Sequence, residues 1–260
     1  MSHLIRGCCM VVGLMFFFFA SLPAQEPKAR QTDVIKTDLG SLKITPINHA
    51  SLMLEWNGKA IYVDPTSQGD YTGLPKADLI LITDIHGDHL DPKAIAALKK
   101  EGKPETLILA PEAAAKTIGD AMIMKNGERR SIAGLAVGAP MTVEAVPMHN
   151  LTRGPAPGQL FHPKDRGNGY ILTLGSNRPR VYISGDTECI PEIKTLKTID
   201  VAFMCMNLPY TQTPQEAAEC VKAFRPGIVY PYHYRGQDPK AFADALKDEK
   251  GIEVRLRNWY

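Results

Sequence analysis

The stretch from Leu79 to Pro92 constrains the fold more than any other part of the chain. Leu79 to Thr83 reads as a short apolar strand. It runs without a turn into Asp84-Ile85-His86-Gly87-Asp88-His89, and Asp91-Pro92 then opens a helix to about Lys100. Asp91 suits the cap, Pro92 the first turn, and Gly102 lies past the end. A strand that feeds a helix through a polar loop leaves that loop at the edge of a sheet. Asp84, His86, Asp88 and His89 put four ligand-type side chains within six residues, which a solvated loop does not explain.

The rest of the chain repeats this mixture. Leu42 to Ile47, Ser51 to Trp56 and Ala60 to Val63 read as strands, the last two joined by the hairpin signal Asn57-Gly58. Thr106 to Ala110, Met122 to Met124, Ser131 to Ile132 and Met141 to Pro147 are further strands, with a helix at Pro111 to Ile118. Tyr170 to Leu174 and Arg180 to Ser184 form a hairpin through Gly175-Ser176-Asn177. Helices are expected at Glu192 to Thr198, from the cap Thr213-Pro214 to about Phe224, and at Pro239 to Leu246. Val201 to Met206, Gly227 to Pro231 and Ile252 to Leu256 complete the strands. This order predicts an α/β chain of mixed sheets with helices on their outer faces. No fixed-period repeat and no linker divides it.

Composition excludes two classes. With 30 basic and 28 acidic residues the formal net charge is +2, without the basic excess of a nucleic-acid binder. Hydrophobic residues make up 44% of the 260, too many for a disordered chain. The N-terminus reads as an address. Arg6 precedes an apolar run from Cys8 to Ala20, followed by polar and small residues to Gln25. The run is short of the roughly 20 residues needed to span a bilayer. A signal peptide over 1–24 and one domain over 25–260 are expected, with export to the bacterial periplasm and no membrane anchor after cleavage. Cys189, Cys205 and Cys220 remain beyond the leader, and their spacing fits no disulfide framework or zinc knuckle. Cys205 falls in an apolar run and is expected in the core.

Other candidate ligands also follow strands. His149 comes after Met141 to Pro147, Asp186 after Arg180 to Ser184, and His233 after Val229-Tyr230-Pro231-Tyr232. Imidazole and carboxylate side chains at neighbouring strand ends suit zinc or a similar divalent ion. Any one of them alone would read as a core or turn residue.

Together the motifs resemble the metallo-β-lactamase superfamily, and within it a lactonase-like branch that includes L-ascorbate-6-phosphate lactonase. The matching pieces are Asn48-His49-Ala50-Ser51, Tyr62-Val63-Asp64-Pro65, Leu79 to Pro92, Val146 to Asn150, His162-Pro163-Lys164, Gly169-Tyr170, Ser184 to Thr187, Asn207 to Thr211 and Tyr230 to Tyr234. The resemblance implies an αββα sandwich of two mixed β-sheets with helices on the outer faces. It implies a metal-dependent hydrolase with two divalent ions, zinc first and manganese or iron as alternatives. One ion would take position 84, His86 and His149; the other would take Asp88, His89 and His233, with Asp186 bridging. Asp88 and Asp186 would be catalytic. Asp84 departs from the pattern, which has His there. It is read three ways: as a working ligand, as the mark of a weakened site that leaves one metal, or as a shift toward metals that favour oxygen.

Around this centre, His49 either orients a ligand or is structural, and Asp64 supports the ligand loop. His162, Lys164 and Arg166 lie in a Gly/Pro-rich stretch that forms either a lip contacting an anionic substrate group or a surface loop. Asn150 and Tyr210 complete the candidate substrate contacts. The expected activity is hydrolysis of a small ester, lactone or phosphodiester. The alternatives are a metal-binding protein without hydrolytic activity and a true β-lactamase.

Overall fold

A computed structural model describes residues 31–102, 105–132 and 140–260. The expected leader at 1–24 lies outside the described residues. Each half of the chain builds one seven-stranded sheet in sequence order. The first holds β1 (Asp33–Thr37), β2 (Gly40–Asn48), β3 (Ser51–Trp56), β4 (Lys59–Val63), β5 (Leu79–Leu81), β6 (Leu107–Ala110) and β7 (Met122–Ile123). The second holds β8 (Arg129–Ile132), β9 (Met141–Met148), β10 (Gly167–Leu174), β11 (Arg180–Ile183), β12 (Val201–Cys205), β13 (Ile228–Tyr232) and β14 (Glu253–Val254).

Pairing in each sheet begins antiparallel and turns parallel, at β4–β5 in the first and at β11–β12 in the second. Connection length decides this. Tight turns such as Asn57-Gly58, both with positive φ, can only return a strand antiparallel. Parallel neighbours need a crossover. Here α1 (Pro92–Leu98), α2 (Glu112–Ile118), α3 (Pro191–Lys194), α4 (Pro214–Phe224) and α5 (Pro239–Leu246) supply crossovers. Asp91 caps α1 through the backbone N–H groups of Lys93 and Ala94, and Thr213 and Glu216 form a capping box on α4.

Three apolar layers hold the sandwich. Leu54, Trp56 and Leu81 meet Leu172, Phe203 and Tyr230 between the sheets. Ile80 and Ile108 pack under Ile95 and Ala114 of α1 and α2, while Tyr182 and Met204 pack under Ala217, Val221 and Phe242 of α4 and α5. This is the αββα arrangement that the resemblance implies. The parallel strands end on one side, and their C-terminal loops meet there, the usual location of ligand sites in such sheets.

Three expectations need correction. First, β1 is a strand that the sequence reading omitted; its alternating DVIKT pattern makes it the edge of the first sheet, pinned by Asp33 to Arg257 at 2.8 and 2.9 Å. Second, α3 runs over Pro191–Lys194 with Thr195 as its C-cap, and Thr198, with a left-handed φ of 55°, lies outside it. Third, Cys189 and Cys220 form a disulfide across 31 residues, joining the loop after β11 to α4. Their spacing gave no hint, since the partners meet only through the crossover between β12 and β13. Cys205 is buried and free, as expected.

Candidate metal centre

The site forms where loops after β4, β5, β9, β11 and β13 converge. Two glycines permit the approach. A Cβ on Gly167 would lie 2.2 Å from Met148 Cε and 2.8 Å from the Thr83 carbonyl. A Cβ on Gly185 would lie 2.4 Å from Met148 Sδ, and this residue has φ +59°. Asp186 follows directly. His49, Asp64 and His233 hold left-handed φ values of 54°, 43° and 49°, conformations that cost energy for these residue types and gather here.

Asp64 is fully buried and organises the loop after β5. Its carboxylate accepts the Thr83 N–H at 2.7 Å and the Thr83 hydroxyl at 2.5 Å, and lies 2.8 Å from His89 Nδ1. That contact assigns the proton to Nδ1 and turns the lone pair of Nε2 inward. Two other histidines repeat the device. His162 Nδ1 donates to Asn150 Oδ1 at 2.6 Å, and His149 Nδ1 to the Asn150 carbonyl at 3.0 Å. The Asn150 amide is itself oriented by donation to Glu188 Oε1 at 3.1 Å and to the Tyr210 carbonyl at 2.7 Å. His89 Nε2, His149 Nε2, His162 Nε2 and both nitrogens of His233 are buried without a hydrogen-bond partner, as is Asp186 Oδ1.

Several of these bare nitrogens face carboxylate oxygens. Asp186 Oδ2 lies 3.4 Å from His89 Nε2 and 3.2 Å from His162 Nε2, and Asp186 Oδ1 lies 3.6 Å from His233 Nε2. His233 Nε2 is also 3.3 Å from Asp88 Oδ2. Buried polar groups left unpaired are costly. Lone pairs turned toward carboxylates are satisfied by a proton or by a cation between them, and this donor set of imidazoles and carboxylates fits a divalent metal ion. Three groups have ligand atoms within 4.8 Å of one another: His49 with Asp88 and His233, His89 with Asp186 and His233, and Asp84 with His86 and His162.

Charge follows this arrangement. Burial raises the Asp186 carboxyl, but the His233 and His89 imidazoles outweigh it and hold it well below the ordinary carboxylate value. Asp88 is likewise raised by burial and brought well below that value by His233 and His49. Burial lowers His89, yet Asp186 and Asp64 on either side raise it well above the ordinary imidazole value. His49 is lowered, chiefly by burial, against the opposing pull of Asp88.

The placement of the sequence candidates is uneven. Asp84, His86, Asp88, His89, Asp186 and His233 come together. His149 joins none of the three groups, and His162, read from sequence as a substrate contact, joins the Asp84 group. His49 bridges Asp88 Oδ2 at 3.1 Å and the Tyr260 hydroxyl at 2.6 Å. Tyr210 lines a cavity of about 360 Å³ over the centre, with Phe161, Asn207 and Arg235. Asn150 lies buried behind the ligands, and Lys164 is exposed and away from the cavity wall. Sequence reading missed Arg235, Tyr260 and Glu188. Arg235 follows the His233 motif by two residues, the only available hint. Trp259 is anchored in the inter-sheet core, which brings Tyr260 to His49.

Comparison with known proteins gives the family and the fold. A model of the β-lactamase superfamily domain matches residues 43–233. A protein from Parabacteroides distasonis, described as a candidate metal-dependent hydrolase, shares 48% identity over 88% of this chain and 98% of its own, with a TM-score of 0.77. A metal-dependent hydrolase of Geobacillus sp. is 29% identical over 81% of this chain and 95% of its own length. A metallo-β-lactamase fold protein from Bacillus subtilis, 13% identical with a TM-score of 0.61, covers 80% of this chain and 88% of its own and shares the fold. The chain belongs to the β-lactamase superfamily and has the metallo-β-lactamase fold.

Proposed function

We propose that the protein is a metal-dependent hydrolase acting on a small ester, lactone or phosphodiester. The observation that carries this is the set of buried histidines whose Nδ1 is engaged by an oxygen while Nε2 stays bare beside Asp186. Asp88, His89, Asp186 and His233 would hold the ion. Imidazole with carboxylate favours zinc, and the oxygen share leaves manganese and iron as alternatives. A divalent ion bound there supplies Lewis acidity, activating water and polarising the substrate oxygen.

The chain's own groups do the rest. Asp88 stays ionised through its contacts with His49 and His233, so it can orient the attacking water. Asp186 reaches the same cavity from the opposite loop and stays ionised there, facing His89 and His233. Phe161 and Tyr210 meet edge to face at 5.0 Å and form an aromatic wall. Arg235 lies 5.9 Å over the Tyr260 ring, where its guanidinium meets an acidic group of the substrate. A cavity of about 360 Å³ limits the substrate to a small molecule. The Cys189–Cys220 disulfide and the leader-like N-terminus support an exported protein in an oxidising compartment. Among the described residues no helix is long and apolar enough to cross a membrane.

The test is a panel of lactones, esters and phosphodiesters given to zinc-loaded and chelator-stripped protein. Hydrolysis that disappears on stripping and returns with metal is expected. Metal retention with no turnover across the panel would leave a binding protein of the same fold. N-terminal sequencing of protein from a periplasmic fraction tests export, with a start near Gln25 expected.

A further inference from the structure

Asp84 is fully buried, and both of its oxygens are already engaged. Arg166 Nε donates to Oδ1 at 3.3 Å and Nη2 to Oδ2 at 3.1 Å. His86 Nδ1 is 2.7 Å from the same Oδ2. Arg166 Nη2 also lies 3.3 Å from His86 Nε2 and donates to the Phe161 carbonyl at 2.7 Å. The guanidinium is thus fixed by three partners and touches two of the three potential ligands in this group. A guanidinium keeps its charge at every accessible pH. Of that group, only His162 keeps a bare nitrogen, and it faces Asp186 more closely than Asp84, at 3.2 against 3.7 Å.

The other two groups share His233, and one nitrogen, Nε2, faces both Asp88 and Asp186. An imidazole nitrogen has one lone pair, so the two groups together serve one ion. Resting on the metal-centre reading above, we infer that Arg166 stands in for a metal ion at the Asp84–His86 corner and that the chain binds one divalent ion. The corner is then a built-in cation: Asp84 exists to hold Arg166, and Arg166 to hold His86 at the cavity wall. The departure of position 84 from His follows, since a carboxylate offers the guanidinium a charge and two acceptor oxygens, whereas a neutral imidazole offers one lone pair and no charge.

The experiment counts ions. Protein stripped with a chelator is titrated with zinc chloride by calorimetry, then desalted and its zinc measured by elemental mass spectrometry. One zinc per wild-type chain is expected, and two in the double variant Asp84→His with Arg166→Ala. Two in the wild type would overturn the inference and leave the metal-centre reading intact; none would overturn both. A folded double variant that still stops at one ion would show that Arg166 is not what excludes the second. Should the double variant fail to fold, cobalt-loaded wild type decides alone. Spectra of an isolated high-spin ion that saturate at one equivalent are expected, and an exchange-coupled pair would overturn the inference.

Discussion

The two sides of the centre use the same side-chain chemistry to opposite ends. On one side, Asp88, His89, Asp186 and His233 present carboxylates held ionised and imidazole nitrogens buried without a hydrogen-bond partner. On the other, Asp84 and His86 are joined by the fixed charge of Arg166. The difference teaches that a count of ligand-type residues does not count metals. What matters is whether each lone pair already has a proton or a cation. Like charges 4 Å apart at an effective dielectric constant of 20 repel by roughly 4 kcal/mol per pair of unit charges. A divalent ion beside Arg166 would face about twice that.

The largest effect should come from the open side. Asp186→Asn keeps the shape of the side chain but removes the charge that faces His89, His162 and His233. Loss of a residue that merely supports a ligand costs about 10 to 100-fold in metal affinity. Loss of Asp186 should exceed that range, as measured by competition with a chromogenic chelator. If Asp186→Asn binds zinc as wild type does, the open side is misassigned. Arg166→Met breaks the comparison from the closed side. It leaves the buried Asp84 without its permanent cation and with His86 beside it at 2.7 Å, and losing one partner of a buried pair costs about 3 to 5 kcal/mol. The Arg166 side chain is 21% exposed, so a loss of about 3 kcal/mol is expected in urea unfolding of the stripped protein.

The open side was far more legible in the sequence than the closed one. Asp88, His89, Asp186 and His233 follow apolar strands, and strand ends in a two-sheet sandwich converge. Asn57-Gly58, Asp91-Pro92 and Thr213-Pro214 located their turn and helix starts because each acts through its own neighbours. The closed side depends on contacts that no local pattern records. Arg166 lies 82 residues from Asp84 and reads alone as a charge in a surface loop. The same holds for Tyr260, which meets His49 across 211 residues, and for the cysteine pair. His162 reads as a lip residue until the Asn150 amide is seen to fix its Nδ1 and turn Nε2 inward.

A smaller effect sharpens how the open side is prepared. Asp64 is fully buried behind the centre, yet it fixes the His89 tautomer. Asp64→Asn should weaken zinc binding by about 10 to 100-fold, with the ligands themselves intact. A neutral amide can still accept from the Thr83 hydroxyl, so the variant should fold, and circular dichroism checks this. Unchanged affinity would mean that His89 is held by packing alone.

The smallest effect concerns Glu188, two residues after Asp186. Its carboxylate ties the loop carrying His149 and Asn150 to the loop carrying Asp186, accepting the Arg153 N–H at 2.7 Å and the Thr152 N–H at 3.3 Å. Burial raises its carboxyl, but these N–H groups and the Asn150 amide outweigh it and bring it below the ordinary value of 4.5. A carboxyl lowered on folding stabilises the folded chain fully above its unfolded value, and that contribution is lost as pH falls through the folded one. Glu188→Gln keeps an acceptor and removes the charge. Stripped wild-type protein should therefore unfold at higher urea than the variant at pH 7, and the two midpoints should converge as pH falls below the ordinary carboxyl value. A gap that persists at low pH would show that the glutamine disturbs packing, and that the charge of Glu188 does not hold the two loops together.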